Sequence, residues 1–166
     1  MAILIAIPVI GFVVILQSAV LSQVRLLYGM VDLVLLVLVA WAVRERVNTA
    51  WHWGFIAGVL VSLVTAVPAP AVMLSYLLVT GGAVLLKRIF WARPLLAMVM
   101  AAIAGTLISH GVSQVALRLA NIPVPVVQAF NIVTLPSVLL NLLLAIPVFA
   151  FVSDLANWLN PKEIEI

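Results

Sequence analysis

Long apolar runs are the feature that most limits what this chain can fold into. Stretches such as Leu33 to Val43 and Ala71 to Leu86 contain no charged side chain. Only 8% of the 166 residues are charged and 67% are hydrophobic, whereas a water-soluble domain carries about a quarter charged residues. A chain of this composition cannot cover a water-facing surface. We therefore expect an integral membrane protein that is surrounded by membrane lipids.

Continuous apolar runs favour helices over a transmembrane barrel. A barrel strand is a stretch of roughly ten residues that alternates apolar and polar side chains, and the runs here do not alternate. A helix in lipid also satisfies its own backbone hydrogen bonds. At about 20 residues per span, the chain has room for a single all-α domain, 1–166, of six transmembrane helices. The predicted helices cover residues 2–21, 26–43, 51–67, 71–86, 94–120 and 130–159.

Basic residues are distributed unevenly between the two predicted faces of the membrane. The face that carries both termini holds six of the eight Lys and Arg residues, and the other face holds Arg25 and Arg118. Because cytoplasmic loops are enriched in Lys and Arg, we expect both termini in the cytoplasm. The positive charge then signals topology, and no nucleic-acid partner is expected. The six residues are Arg44, Arg46, Lys87, Arg88, Arg93 and Lys162.

The polar side chains offer little for catalysis or metal binding. The chain has no cysteine, which excludes thiolate metal sites and a cysteine nucleophile. His52 and His110 are predicted on opposite faces, so they cannot share a metal ion. The serines lack a Gly-x-Ser-x-Gly context, and no phosphate-binding loop or dinucleotide fingerprint is found. We therefore expect a protein that is not an enzyme, with no catalytic residue, metal or cofactor.

A few polar side chains are predicted near the outer face of the membrane. Asp32 is the one acid near a helix interior. A carboxylate within a membrane is costly, so it suggests a functional site by default. A structural role, at the start of a helix or paired with Arg25, is the favoured alternative. The possible outward polar cluster consists of Gln17, Arg25, Asp32, His110 and Gln114.

Small residues recur at four-residue spacing on the third and fifth predicted helices. Such faces let helices approach closely in lipid. An asparagine in the last helix can bridge helices by hydrogen bonds. These positions serve either internal packing, which is favoured, or contact with a partner. They are Gly54, Gly58, Ala97, Ala101, Gly105 and Asn141.

Three stretches of the sequence carry a family resemblance, and they are residues 16–21 (LQSAVL), 28–33 (YGMVDL) and 54–60 (GFIAGVL). In this order they resemble the MreD family of rod shape-determining proteins. Leu135, Pro136 and Asn141 also resemble the last helix of that family. At two positions the chain differs, because Val31 stands where the family has proline and Ser62 where it has aspartate.

The resemblance implies a fold and a role. Proteins of this family are similar in fold to the substrate-binding subunits of energy-coupling-factor transporters. They are non-enzymatic scaffolds of the bacterial cell-elongation complex, which makes peptidoglycan, and they lie in the cytoplasmic membrane. Their partner is MreC, a single-pass protein with a coiled coil outside the membrane. MreC links them to RodA, to a class B penicillin-binding protein and to MreB.

Two other functions stay open at this point. A vitamin-type binding subunit of an energy-coupling-factor transporter would use a pocket that opens outward. A membrane enzyme would need paired acids, metal-binding histidines or a Ser/His arrangement in one plane, and the sequence supplies none. Polar residues that could line the outward pocket are Gln17, Gln23, Asp32, His110, Gln114 and Asn131.

Overall fold

Most of the described chain is helical. The computed structural model describes residues 2–19, 25–44, 47–122 and 125–159. Three helices are long and apolar enough to cross a membrane, and three shorter helices are also apolar. The chain therefore has the character of a helical membrane protein. The long helices are Ala69–Ile89, Pro94–Leu119 and Val126–Trp158, and the shorter ones are Ile3–Ala19, Leu33–Ala42 and Ala50–Ser62.

The elements follow the apolar runs of the sequence, with prolines near several starts. Pro70 and Pro94 lie in the first turns of their helices, where a missing N–H costs little. The elements are α1 (Ala2–Ala19), β1 (Arg25–Leu26), β2 (Gly29–Met30), α2 (Leu33–Ala42), α3 (Ala50–Ser62), α4 (Ala69–Ile89), α5 (Pro94–Leu119), α6 (Val126–Ala129), a π-helical turn (Phe130–Thr134) and α7 (Leu135–Leu159).

The predicted start of the second helix is wrong. We expected a helix over residues 26–43, but β1 and β2 pair there as an antiparallel hairpin. Leu27, in the turn, has a φ of 56°, which lies in the left-handed region and is incompatible with a continuous helix. The helix α2 begins only at Leu33.

Asp32 sets the start of α2. Its carboxylate Oδ1 accepts a hydrogen bond from the backbone N–H of Leu35 at 3.0 Å. An aspartate at this position satisfies one of the backbone donors that the first turn of a helix leaves unpaired. The chain before Asp32 is consequently free to form the hairpin instead of another helical turn.

The hairpin is fixed to the last helix of the bundle. Tyr28 N–H donates to the carbonyl oxygen of Ile132 at 3.2 Å, and Met30 N–H donates to Ser137 Oγ at 3.0 Å. A Cβ on Gly29 would lie 2.7 Å from the backbone nitrogen of Ser137, so only glycine permits this close approach. Groups more than a hundred residues away along the chain therefore stabilise the hairpin.

The short helix α2 lies at the centre of the bundle. All of its residues are buried, and it contacts α1, α3, α4, α5 and α7. A helix that is apolar all round must be enclosed by other elements or by lipid. With ten residues α2 is about 15 Å long, half the thickness of the hydrocarbon core of a bilayer.

The helices around α2 form a ring that is open on one side. In this ring α1 packs on α3, α3 on α4, α4 on α5, and α5 on α7. Between α7 and α1 lies a groove of about 700 Å³, and all the described residues that line it are apolar. Its floor is formed by Leu33 and Val37 of α2, which are 8% and 7% exposed, more than any other residue of that helix.

Candidate functional site

Polar side chains gather at the two ends of α2. We call the end at which α2 begins the carboxylate end and the opposite end the basic end. The carboxylate end is defined by Gln17, Asp32, Tyr76, His110 and Asn141. The basic end is defined by Trp41, Arg44, Lys87, Ser153 and Asn157.

The Asp32 carboxylate is the centre of the carboxylate end. The hydroxyl of Tyr76 lies 3.1 Å from both carboxylate oxygens and donates to them. The backbone N–H of Asp32 donates to Oδ1 of Asn141 at 2.9 Å. Asp32 therefore connects α2 to α4 and α7. Arg25, the partner considered in the sequence, has a side chain outside the described residues.

Two amide side chains complete the polar contacts around the start of α2. Gln17 Oε1 accepts from the backbone N–H of Val34 at 3.1 Å. Asn141 is buried, and its Nδ2 donates to Thr106 Oγ1 at 2.9 Å. In the described chain, no buried side-chain nitrogen or oxygen lacks a hydrogen-bond partner. Asn141 thus bridges α7 to α5 and, through Asp32, to α2.

A cavity of about 410 Å³ opens beside Asp32, between α1, α3, α4 and α5. Its size falls in the range of small-molecule sites, about 300–1,000 Å³. Of the predicted outward cluster, the structure brings Gln17, Asp32 and His110 to this cavity. The other polar side chains in its lining are Ser18, Thr65, Ser75, Tyr76, Ser109 and Ser113.

His110 separates this cavity from a second depression. Its Nδ1 lies 3.1 Å from Oγ1 of Thr134, in the π-helical turn. Single π-helical turns are rare and often occur at functional sites. The second depression, of about 300 Å³, is lined by Gln114 together with His110 and Ser113. Gln114 therefore does not share the cavity of Asp32. Asn131 is exposed in the π-helical turn, and Gln23 lies outside the described residues.

The small residues of the third helix face α4. A Cβ on Gly54 would collide with Oγ1 of Thr80, and one on Gly58 would lie 3.0 Å from Cα of Met73. These two glycines allow the backbones of α3 and α4 to approach closely. The structure thus places both positions in internal packing.

The small residues of the fifth helix also face the interior. Ala97 and Ala101 are buried. A Cβ on Gly105 would lie 3.1 Å from Cγ1 of Val79 and 3.4 Å from Cδ2 of Leu35. This face therefore packs on α4 and on the central helix α2.

At the basic end, cationic groups satisfy backbone carbonyl groups after the end of α2. Lys87 Nζ donates to the carbonyl oxygens of Arg44 and Val47 at 3.0 and 3.1 Å. Arg44 donates through Nη1 to Ser153 Oγ at 3.1 Å and through Nη2 to Asn157 Oδ1 at 2.8 Å. Positive charge next to a helix C-terminus is stabilising, so these residues hold the end of α2 against α4 and α7.

Two tryptophans fill the interior at this end. The rings of Trp41 and Trp53 stack with centroids 4.2 Å apart, and both side chains are buried. Trp41 Nε1 donates to Thr49 Oγ1 at 3.3 Å. Tryptophans of membrane proteins often lie at the membrane–water interface, but these two are internal packing residues.

Several groups of the cavity were missed by sequence reasoning. The predicted outward polar cluster did not include Tyr76 or the serines Ser75, Ser109 and Ser113, which line the cavity. One signal could have found Tyr76. Asp32 lies at the start of α2, and Tyr76 lies less than two turns from the start of α4. If α2 and α4 both begin at the same face of the membrane, as the predicted topology requires, the two side chains lie at similar depth.

Comparison with known proteins supplies no further information on the site. No family model, no curated protein and no solved structure matches the chain. Among the described residues, no three His, Asp or Glu side chains come together as metal ligands would.

Proposed function

We propose that the chain is a non-enzymatic membrane scaffold of the bacterial cell-elongation complex, resembling MreD, and that it binds MreC. The observation that supports this proposal is the open ring of helices around α2. A scaffold needs a surface that accepts a partner, and the groove between α1 and α7 is a candidate for that surface. Through MreC the chain would be linked to RodA, a class B penicillin-binding protein and MreB.

The chemistry of the groove suits a transmembrane helix of the partner. Phe12 of α1 and Phe151 of α7 are among its apolar walls, and Leu33 and Val37 form its floor. Helix association in lipid depends on close van der Waals packing. The single transmembrane helix of MreC, seated in this groove, would cover the remaining exposed surface of α2 and close the ring.

The proposed topology has six crossings in the bacterial cytoplasmic membrane, with both termini in the cytoplasm. The basic end then faces the cytoplasm, as the distribution of Lys and Arg favours. The short α2 crosses together with the hairpin. Non-helical backbone at membrane depth is tolerated when it is bonded to protein, and the hairpin donates hydrogen bonds to Ile132 and Ser137. We further propose that this bundle is similar in fold to the substrate-binding subunits of energy-coupling-factor transporters.

Cysteine cross-linking tests the groove, because the chain has no cysteine of its own. We would combine single cysteines along the transmembrane helix of MreC with Phe12→Cys or Phe151→Cys in the groove. Leu85→Cys, exposed on α4, is the matched control. We expect disulfide-linked heterodimers in native membranes from both groove positions and not from Leu85→Cys. Cross-linking from Leu85→Cys alone would refute the proposal that the groove binds the MreC helix. Failure of MreC to co-purify with the chain would refute the scaffold function.

The cavity at the carboxylate end favours a second candidate function. A vitamin-binding subunit of an energy-coupling-factor transporter would need such a polar pocket, open at one end of the bundle. Mass spectrometry of protein purified from native membranes, together with thermal shifts on addition of vitamins, tests this function. A bound vitamin would support it, and a protein that is empty and unresponsive to every vitamin would contradict it.

A further inference from the structure

We propose that the cavity at the carboxylate end binds a small organic cation, with an ammonium group against Asp32 and an apolar body against a wall of valines. This inference goes beyond the scaffold function and does not depend on it. The cavity and the groove are separate, because α1 turns Val14 and Gln17 to the cavity and Phe12 and Leu16 to the groove.

The charge of the cavity is the first argument. Its described lining contains the carboxylate of Asp32 and no Lys or Arg side chain. Tyr76 and the N–H of Leu35 donate hydrogen bonds to this carboxylate, but neither brings a compensating charge. A carboxylate within a membrane protein is costly unless it is paired. A cationic ligand would supply the missing charge.

The hydroxyl groups of the cavity supply the second argument, because several of them already donate their hydrogens to the protein. Ser75 donates to the carbonyl oxygen of Val72 at 2.8 Å, and Ser113 donates to that of Ser109 at 2.8 Å. Tyr76 donates to Asp32. A hydroxyl whose hydrogen is used in this way presents only lone pairs to a ligand. These groups therefore favour a ligand that donates hydrogen bonds, as an ammonium group does.

The remaining wall of the cavity is apolar and suits the body of such a ligand. Side chains from α1, α2, the C-terminal part of α3, the connection between α3 and α4, and α4 itself contribute to it. Burial of apolar ligand surface contributes about 25 cal/mol per Å², so this wall selects cations with a hydrocarbon body over small hydrophilic ones. The valines of the wall are Val14, Val34, Val61, Val64, Val67 and Val72.

Three probes with one body and different head groups test the proposal. We would add phenethylammonium, 2-phenylethanol or phenylacetate to the purified full-length protein in detergent and follow thermal unfolding by tryptophan fluorescence. We expect a saturable rise in Tm with phenethylammonium alone. An equal rise with all three probes, or none with phenethylammonium, would overturn the proposal.

Variants connect the effect to the cavity. Asp32→Asn keeps a side chain that caps α2 but loses the charge, so we expect the Kd of phenethylammonium to rise at least about tenfold. Val64→Trp, at an exposed position of the lining, should block binding without removing the carboxylate. Ser153→Ala, at the basic end, is the matched control and should bind as the unaltered protein does. Unchanged binding to both Asp32→Asn and Val64→Trp would overturn the proposal.

Arg25 provides the remaining test. If its guanidinium group were the partner of Asp32, phenethylammonium would bind only after Arg25→Gln, and the proposal of an external cation would be overturned. If the unaltered protein and Arg25→Gln bind phenethylammonium equally well, the result supports the proposal that Asp32 pairs with a cationic ligand.

Discussion

The two ends of α2 use charge in opposite ways. At the basic end, Lys87 donates to backbone carbonyl oxygens after the helix, and Arg44 donates to side chains of α7. At the carboxylate end, Asp32 caps the first turn of the helix and also lines an open cavity. The cations at one end are therefore used within the fold, whereas the carboxylate at the other end also faces space that a ligand can occupy.

This difference separates a closely packed end from an end with an open cavity, which we propose binds a ligand. The stacked pair Trp41 and Trp53 fills the interior near the basic end, and such packing contributes to stability. At the carboxylate end the side chains are packed less closely, and they leave a cavity of about 410 Å³. Substitutions at the basic end should therefore change mainly the free energy of unfolding, and those around the cavity should change mainly binding.

The largest effect is expected for Trp53→Ala at the basic end. Loss of a buried aromatic side chain and the resulting void should lower the free energy of unfolding by about 3–5 kcal/mol. Trp91→Ala, at an exposed position, is the control and should change it by less than about 0.5 kcal/mol. Chemical unfolding of the purified protein in detergent measures both. A loss below about 1 kcal/mol for Trp53→Ala would contradict the structural role of this end.

Lys87→Met should give the next largest effect. It leaves the carbonyl oxygens of Arg44 and Val47 without their charged donor, at an expected cost of about 1.5–3 kcal/mol. The neighbouring Arg88→Met removes an exposed charge and should cost less than about 0.5 kcal/mol. Comparison of the two unfolding curves is the measurement. Equal losses of unfolding free energy in the two variants would show that the positive charge of this end, and not the hydrogen bonds of Lys87, stabilises it.

Gly29→Ala tests whether the hairpin, next to the carboxylate end, packs closely on α7. The added Cβ would lie 2.7 Å from the backbone nitrogen of Ser137, and backbone cannot move aside as a side chain can. We expect a loss of about 1–3 kcal/mol from overpacking. Gly82→Ala, in α4 with no atom within 4 Å of its added Cβ, should be stabilising by up to about 1 kcal/mol. If both variants unfold alike, the hairpin does not pack on α7 as described.

The smallest effect on stability is expected for Asp32→Asn. Asparagine caps a helix about as well as aspartate, so the free energy of unfolding should change by less than about 1 kcal/mol, while Asp32→Ala should lose about 0.5–2 kcal/mol. Thermal unfolding of the two variants, run side by side, measures this difference. A collapse of the fold in Asp32→Asn would show that the carboxylate charge itself is structural, and the contrast between the two ends would disappear.

The helical segments of the fold follow from the sequence more directly than the central hairpin does. Apolar length marks each helix, since a helix in lipid needs such a run. The hairpin was missed because its stability depends on distant groups, such as Ile132 and Ser137 on the last helical segments. The central position of α2 could be predicted from the sequence, because residues 33–42 are apolar on every side of the helix.

The candidate site was predicted in part. Gln17, Asp32 and His110, which are three members of the predicted polar cluster, line one cavity. Gln114 lies one turn beyond His110 on the same face of α5, and it lines the adjacent depression, which His110 also borders. The cavity itself depends on how α1, α3, α4 and α5 are arranged around α2, which no local pattern encodes.

Labelling of single cysteines tests the proposed topology, in which the carboxylate end with its cavity faces away from the cytoplasm. Val64→Cys lies at the cavity and Ala92→Cys lies between α4 and α5, on the side of the basic end, and both positions are exposed. A membrane-impermeant maleimide should modify Val64→Cys in intact cells and Ala92→Cys only after the membrane is permeabilised. Modification of Ala92→Cys in intact cells, with Val64→Cys protected until permeabilisation, would contradict the account.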